Sequence, residues 1–276
     1  MKNILVPTDF SENCNKAADL GIEMAKLYDA EIHFFHLLRT PVDWVKLDKL
    51  KEKRYPETLK QVGAARSALR KLEKKAERAG LECQTFIKYQ VEIRNILRHS
   101  GHFHHDFIIT GSSGTKGTAR ELFGSNVEKI VRKSDVPVIV VKEDEVSFPF
   151  KNIVFVSDFI EDVSGAFEQV ISIAKKCNAH IRLLRINTKT DTNSITAGLD
   201  PIKNFLKKFP DLKNYSMFVN NEPSVETGIN TFLIHEPADL IAMSTHGSTG
   251  FLSLFSQSIA EGVANHSSLP VMTVKI

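Results

Sequence analysis

KNILVPTDF, residues 2–10, returns as KNIVFVSDF, residues 151–159, and this echo decides the fold. AEIHFFHLL at 30–38 returns as AHIRLLRIN at 179–187 with the same offset of 149 residues. Later segments return at a shorter offset of 133: DFIITGSSG at 106–114 as DLIAMSTHG at 239–247, and PVIVV at 137–141 as PVMTV at 270–274. Self-similarity over a whole half-chain reads as duplication of a complete folding unit. The difference between the offsets gives the first copy 16 extra residues between Leu38 and Asp106, and the stretch PVDWVKLDKLKEKRYPETLK at 41–60 is the best place for them. A chain of 276 residues accommodates two domains of ordinary size, expected at 1–143 and 150–276.

Within each copy, short apolar runs alternate with helical patterns. Residues 4–6, 32–38, 85–88, 107–110 and 138–141 read as strands, mostly as continuous apolar runs of the kind buried on both faces. Ala17, Gly21, Met24 and Tyr28 recur at helical spacing, as do Ala166, Val170, Ile173 and Cys177 in the second copy. Ser11 is placed to cap the first helix, and residues 57–79 form the longest helical pattern, stopped by Gly80. A βαβα series predicts a parallel sheet of five strands per copy, with helices on both faces. Such sheets bind ligands beyond the carboxyl ends of their strands, where the strand order reverses.

Composition narrows the function. With 42% hydrophobic and 25% charged residues the chain is globular, and no apolar run is long enough for a membrane span or a signal peptide. We therefore expect a cytoplasmic protein without membrane contact. A net charge of +3, with the mixed-sign run KLDKLKEKR at 46–54, gives no basic face for nucleic acid. Cys14, Cys83 and Cys177 are scattered and odd in number, so neither a disulfide framework nor a cysteine metal site is expected.

The stretch ITGSSGTKGTARELFGSN, residues 109–126, fits neither GxxxxGK[ST] nor GxGxxG. It nevertheless supplies what phosphate binding requires: little side-chain bulk, free backbone N–H groups and a helix start. Gly111 and Gly114 let the backbone leave the fourth strand, and Gly124-Ser125-Asn126 opens a helix carrying Val127, Ile130 and Val131. Ser125 either meets a phosphate oxygen or simply caps that helix. Lys116 and Arg120 either neutralise phosphate or stand as solvated surface charges.

Joined to the KNILVPTDFS opening, the pattern G-x2-G-x9-G-S after a strand resembles the universal stress protein family in its tandem form, over nearly the whole chain. The resemblance implies the strand order 3-2-1-4-5 in each copy and ATP with magnesium as ligand. Pro7, Thr8 and Asp9 would line the adenosine wall, and Leu37 would offer a backbone contact to adenine. Thr110, Gly111 and Gly114 would lie along ribose and phosphate, with Gly124, Ser125 and Asn126 at the phosphate tail. Asp9 also reads as a turn residue ahead of Ser11. The resemblance further implies that 138–141 and 271–274 pair within one chain as a pseudo-dimer, and whether two such chains then form a homodimer stays open.

The second copy reads STHGSTGFLSLFSQS at 244–258. Ser244 stands at the position of Gly111, a backbone position expected to be open to φ > 0, and Gln257 adds bulk at the position of Gly124. A weaker second site is expected, with Asp158, Ile186, Gly247 and Ser258 as its remnants. His246 is expected to be a loop residue.

HSGHFHH places His99, His102, His104 and His105 within seven residues and reads as a surface cluster, with no metal site expected. Trp44 is expected to pack the extra helix. No nucleophile with base and orienting acid, HExxH or GxSxG is present, so catalysis beyond slow ATP hydrolysis is not expected. Two functions stay open: an adenine-nucleotide-binding stress protein, or an interaction module that works through protein partners without nucleotide.

Overall fold

The computed structural model describes residues 1–89, 94–112, 125–142, 146–188, 195–245 and 269–276. They form two compact units, Met1–Lys116 and Gly117–Ile276. The first runs β1 (Asn3–Pro7), α1 (Glu12–Tyr28), β2 (Glu31–Leu38), a 3-10 turn (Trp44–Lys46), α2 (Lys49–Glu52), α3 (Pro56–Arg78), β3 (Cys83–Tyr89), α4 (Arg94–His102) and β4 (Phe107–Gly111). The second runs α5 (Ser125–Lys133), β5 (Val138–Val141), β6 (Asn152–Val156), α6 (Ser164–Cys177), β7 (His180–Asn187), α7 (Ile195–Leu206), β8 (Tyr215–Asn221), α8 (Val225–His235), β9 (Leu240–Thr245) and β10 (Val271–Lys275).

The strand order in the first unit is β3-β2-β1-β4, all parallel. The second repeats it as β8-β7-β6-β9-β10, again parallel, and adds β5 antiparallel to β10 with Ile139 opposite Met272. The last strands of the two copies thus pair within one chain. The expected strands and the long helix are all present with ends shifted by a few residues at most. Gly80 stops α3 in the left-handed conformation, at φ 80°.

α1 and α4 cover opposite faces of the first sheet. A Cβ on Gly21 of α1 would meet Val6, Ile32 and Ile109. His99 and Phe103, of α4 and the loop after it, contact His33 and Phe35, which alternate with Ile32 and Phe34 along β2 and so point the other way. The extra segment of the first copy contributes the 3-10 turn and α2. Trp44 is buried there, its ring 6.3 Å from that of Tyr55 and 6.4 Å from that of Tyr89, so it packs the insertion as expected.

One device recurs in both copies. Asp106 Oδ2 accepts from the amides of Lys2 and Asn3 at 2.5 and 3.0 Å. Asp239 Oδ2 accepts from Lys151 and Asn152 at 2.7 and 2.8 Å. Each carboxylate satisfies two donors at the start of the strand beside it. Asp239→Ala is expected to cost about 1 kcal/mol or more by leaving both amides without this partner. The urea midpoint measures it, and an unchanged midpoint would mean that water replaces the carboxylate fully.

Candidate functional site

In the first unit the chain steps from β1 to β2 and β3 on one side and returns to place β4 on the other. The switch point therefore lies between β1 and β4, beyond their carboxyl ends. Pro7, Thr8 and Asp9 end or follow β1, Leu37 lies near the end of the adjacent β2, and Thr110 and Gly111 end β4. The fold brings these six expected residues to the same edge of the sheet.

The corner after β1 is held by a dense set of local bonds. The Thr8 amide donates to the Phe35 carbonyl at 2.9 Å, and His36 Nδ1 lies 2.7 Å from the Thr8 carbonyl. A carbonyl only accepts, so this imidazole nitrogen carries the proton. Phe10 is left-handed at φ 67°, its amide donating to Thr8 Oγ1 at 3.0 Å. The Ser11 amide donates to Asp9 Oδ1 at 2.9 Å, and Ser11 Oγ caps α1 by accepting from the Cys14 amide at 3.4 Å.

The second copy repeats the corner. Phe159 has φ 57°, its amide bonded to Ser157 Oγ at 3.1 Å, and the Ile160 amide donates to Asp158 Oδ1 at 3.0 Å. Asp9 and Asp158 are thus both turn-makers whose carboxylates sit at exposed positions. A left-handed phenylalanine is sterically unfavourable, and its recurrence means that the corner geometry is imposed by the surrounding bonds.

Gly111 is constrained by packing. A Cβ there would lie 2.6 Å from both the Asn13 carbonyl carbon and the Cys14 amide nitrogen. The open φ expected at this position does not occur: Gly80 is the glycine with positive φ among the described residues. The missing side chain instead lets β4 abut the first turn of α1. Beside it the buried Asn13 Nδ2 donates to Ser112 Oγ at 3.1 Å. At the equivalent place in the second copy Ser244 is buried. There α6 begins at Ser164, which the offset of 149 residues equates with Asn15, whereas α1 begins at Glu12. The helix with a glycine facing it starts three residues earlier.

Gly114, Lys116, Arg120, Gly124, His246, Gly247, Gln257 and Ser258 lie outside the described residues. Ser125 and Asn126 open α5 as expected, and Val127, Ile130 and Val131 are its buried face. At the second copy's equivalent edge Arg185 replaces His36. It is buried and donates from Nη1 to the Gly198 carbonyl at 3.2 Å. Ile186, the counterpart of the half-buried Leu37, is packed into an apolar cluster with Ile229 and Phe232 of α8.

The histidine motif is not the surface cluster expected. His102 and His104 are exposed, but His99 and His105 are buried and meet His33 of β2. Burial, then the neighbouring imidazoles His105 and His33, push the His99 pKa down to about 3. Burial, then His33, lowers His105 to about 4. Asn13, His36 and His33 were not singled out from the sequence. For the two histidines a signal existed: HFFH is an apolar strand interrupted by two imidazoles where the second copy has two arginines, and a polar residue in a doubly covered strand needs a partner.

The architecture defines a class: tandem Rossmann-like α/β halves whose outermost repeat strands pair with each other. The chain belongs to the universal stress protein family, whose sequence profile matches residues 1–142 and 219–275. It is 32% identical over 150 residues to a universal stress protein of Methanocaldococcus jannaschii, covering 51% of this chain and 82% of that one. A universal stress protein of Bacillus subtilis is 26% identical over 151 residues, covering 50% of this chain and 97% of that one. The crystal structure of a universal stress protein from Archaeoglobus fulgidus is similar over 99% of this chain and 96% of its own, with a TM-score of 0.76 at 21% identity. Among the described residues no helix is long and apolar enough to cross a membrane.

Proposed function

We propose that the first copy binds an adenine nucleotide, ATP with magnesium, and that the chain works in the cytoplasm as a binding and regulatory protein of the stress response, hydrolysing ATP slowly at most. The carrying observation is the convergence of Pro7, Thr8, Asp9, Leu37, Thr110 and Gly111 at the carboxyl ends of three adjacent strands, at the switch point. Nucleotide binding is typical of the family. The residues suit such a ligand. The bonded corner after β1 holds the Asp9 carboxylate at an exposed position, and Gly111 lets the end of β4 pack directly on the first turn of α1 that follows this corner. Leu37 would meet adenine through its backbone, with Gly114, Gly124, Ser125 and Asn126 along the phosphates. Magnesium would offset phosphate charge there.

The second copy is read as the weaker site. Buried Arg185 and Ile186 pack the edge where an adenine would approach, and Gln257 carries bulk at the phosphate end. The test is titration calorimetry of ATP and magnesium into the full chain. Gly124→Leu is expected to lower affinity by about a hundredfold or more, because a side chain would displace a phosphate from the backbone N–H groups. Gln257→Leu is expected to leave affinity unchanged. An intact chain that takes up no ATP would favour the interaction-module reading. Binding that both variants leave intact would overturn the site.

A further inference from the structure

We propose that His33, His99 and His105 form a binding site for one transition-metal dication, zinc foremost, buried between the sheet and α4 and separate from the nucleotide edge. One potential ligand nitrogen from each ring lies within 4.8 Å of the other two, and all three residues are buried. Ring centroids are 4.7, 5.4 and 5.9 Å apart. A tetrahedral centre with metal–nitrogen bonds of about 2.0–2.1 Å holds its ligand nitrogens about 3.3 Å from one another. The rings therefore need only small shifts to close on a cation.

The hydrogen-bond pattern assigns the ligand atoms. His105 Nδ1 lies 3.3 Å from the Ser100 carbonyl, which only accepts, so that nitrogen is protonated and Nε2 offers its lone pair to the cluster. His33 Nε2 lies 3.0 Å from Glu31 Oε1, at ion-pair distance although angled off the hydrogen-bond direction, which leaves Nδ1 as the inward atom. Glu31 is itself held by Gln84 Nε2 at 2.6 Å. A carboxylate or a backbone carbonyl behind each ligating imidazole is the usual support of a metal site. His99 Nε2 is buried with no hydrogen-bond partner among the described residues. An orphaned buried nitrogen is costly unless something binds it.

His33 Nδ1 and His105 Nε2 are 2.9 Å apart. Two lone pairs cannot face each other at that distance, so the metal-free chain keeps a proton between them. A cation takes its place: His33 gives up the Nδ1 proton and carries its single ring proton on Nε2, facing Glu31 Oε1, so that two nitrogen–metal bonds form there and a third forms to His99. Imidazole donors suit zinc, copper and nickel. Access is available, because His99 also lines a cavity of about 640 Å³ with Phe86, Lys88, Asn95, Arg98, His102 and Phe103. The fourth position falls to water or a small anion, for which Lys88 and Arg98 make a favourable approach.

The second copy shows that the fold itself does not need these histidines. At the equivalent positions stand Arg182, Phe232 and Ala238. The ring contact of Phe86 with His99 at 4.3 Å is replaced by that of Phe218 with Phe232 at 4.9 Å. Arg182 turns to the Pro237 carbonyl and to Glu236. The same scaffold is closed there by an ordinary apolar core.

That comparison supplies the test. The full chain, stripped with a chelator, is titrated with Co²⁺ and then Zn²⁺ while visible d–d absorption is followed. The expected result is one Co²⁺ per chain with the intense bands of a tetrahedral centre, displaced by Zn²⁺. His99→Phe with His105→Ala copies the second repeat, so it should keep the wild-type circular dichroism and lose the bands entirely. His104→Ala should leave them unchanged. Glu31→Gln should weaken zinc binding about 10- to 100-fold. No uptake by the folded chain overturns the proposal. So does uptake that the double variant retains, or that His104→Ala removes.

Discussion

Gly111→Val is expected to destabilise the first half by about 3 kcal/mol, the upper end of what overpacking costs. The atoms in the way are the Asn13 carbonyl carbon, the Cys14 amide nitrogen at the same 2.6 Å and the Asn13 oxygen at 2.9 Å. All are backbone, so no rotamer change relieves the clash, and the first turn of α1 has to retreat. Retreat breaks the buried bond from Asn13 to Ser112 and loosens the Ser11 cap, at about 1 kcal/mol each. Urea denaturation measures the loss. A midpoint equal to wild type would show that α1 can unwind its first turn without cost, adopting the later start seen in α6. Stability is the proper readout, because it reports the packing of β4 on α1 directly.

Phe167→Ala is expected to cost about 3–5 kcal/mol through lost transfer energy and the cavity left behind. Phe167 is fully buried, its ring centroid 5.0, 5.2 and 5.0 Å from those of Phe155, Phe205 and Phe209. The first copy carries Ala18 at the equivalent place, also fully buried. The two halves thus fill the same helix–sheet interface with different volumes. Calorimetric unfolding tests the expectation, and a loss under about 1 kcal/mol would mean that the remaining phenylalanines collapse into the space.

Much of the fold was legible because its signals are local or repeated. Strands buried on both faces announce themselves as unbroken apolar runs, the helices by spacing, and Ser11 and Gly80 by the backbone geometry each permits. The strand ends that form the candidate site followed from the strand order that the family resemblance implies. The reason for Gly111 was not legible. A glycine needed for an open φ and one needed for close approach of two backbones look identical in a sequence, and only the distance to Asn13 separates them.

The histidines make the same point more strongly. His99, His102, His104 and His105 are close in the chain, yet a helical turn and a tight loop send His102 and His104 to solvent and His99 and His105 inward. Their third partner, His33, is 72 residues from His105.

By itself the amino-acid sequence determined the duplication, the α/β class and the asymmetry between Gly111 and Ser244, since each is written in periodicity or in direct comparison of the two copies. Tertiary structure alone decided which polar side chains share a buried space. That depends on which strands become neighbours and which face each residue takes, and a half-turn of helix or a single step along a strand reverses it.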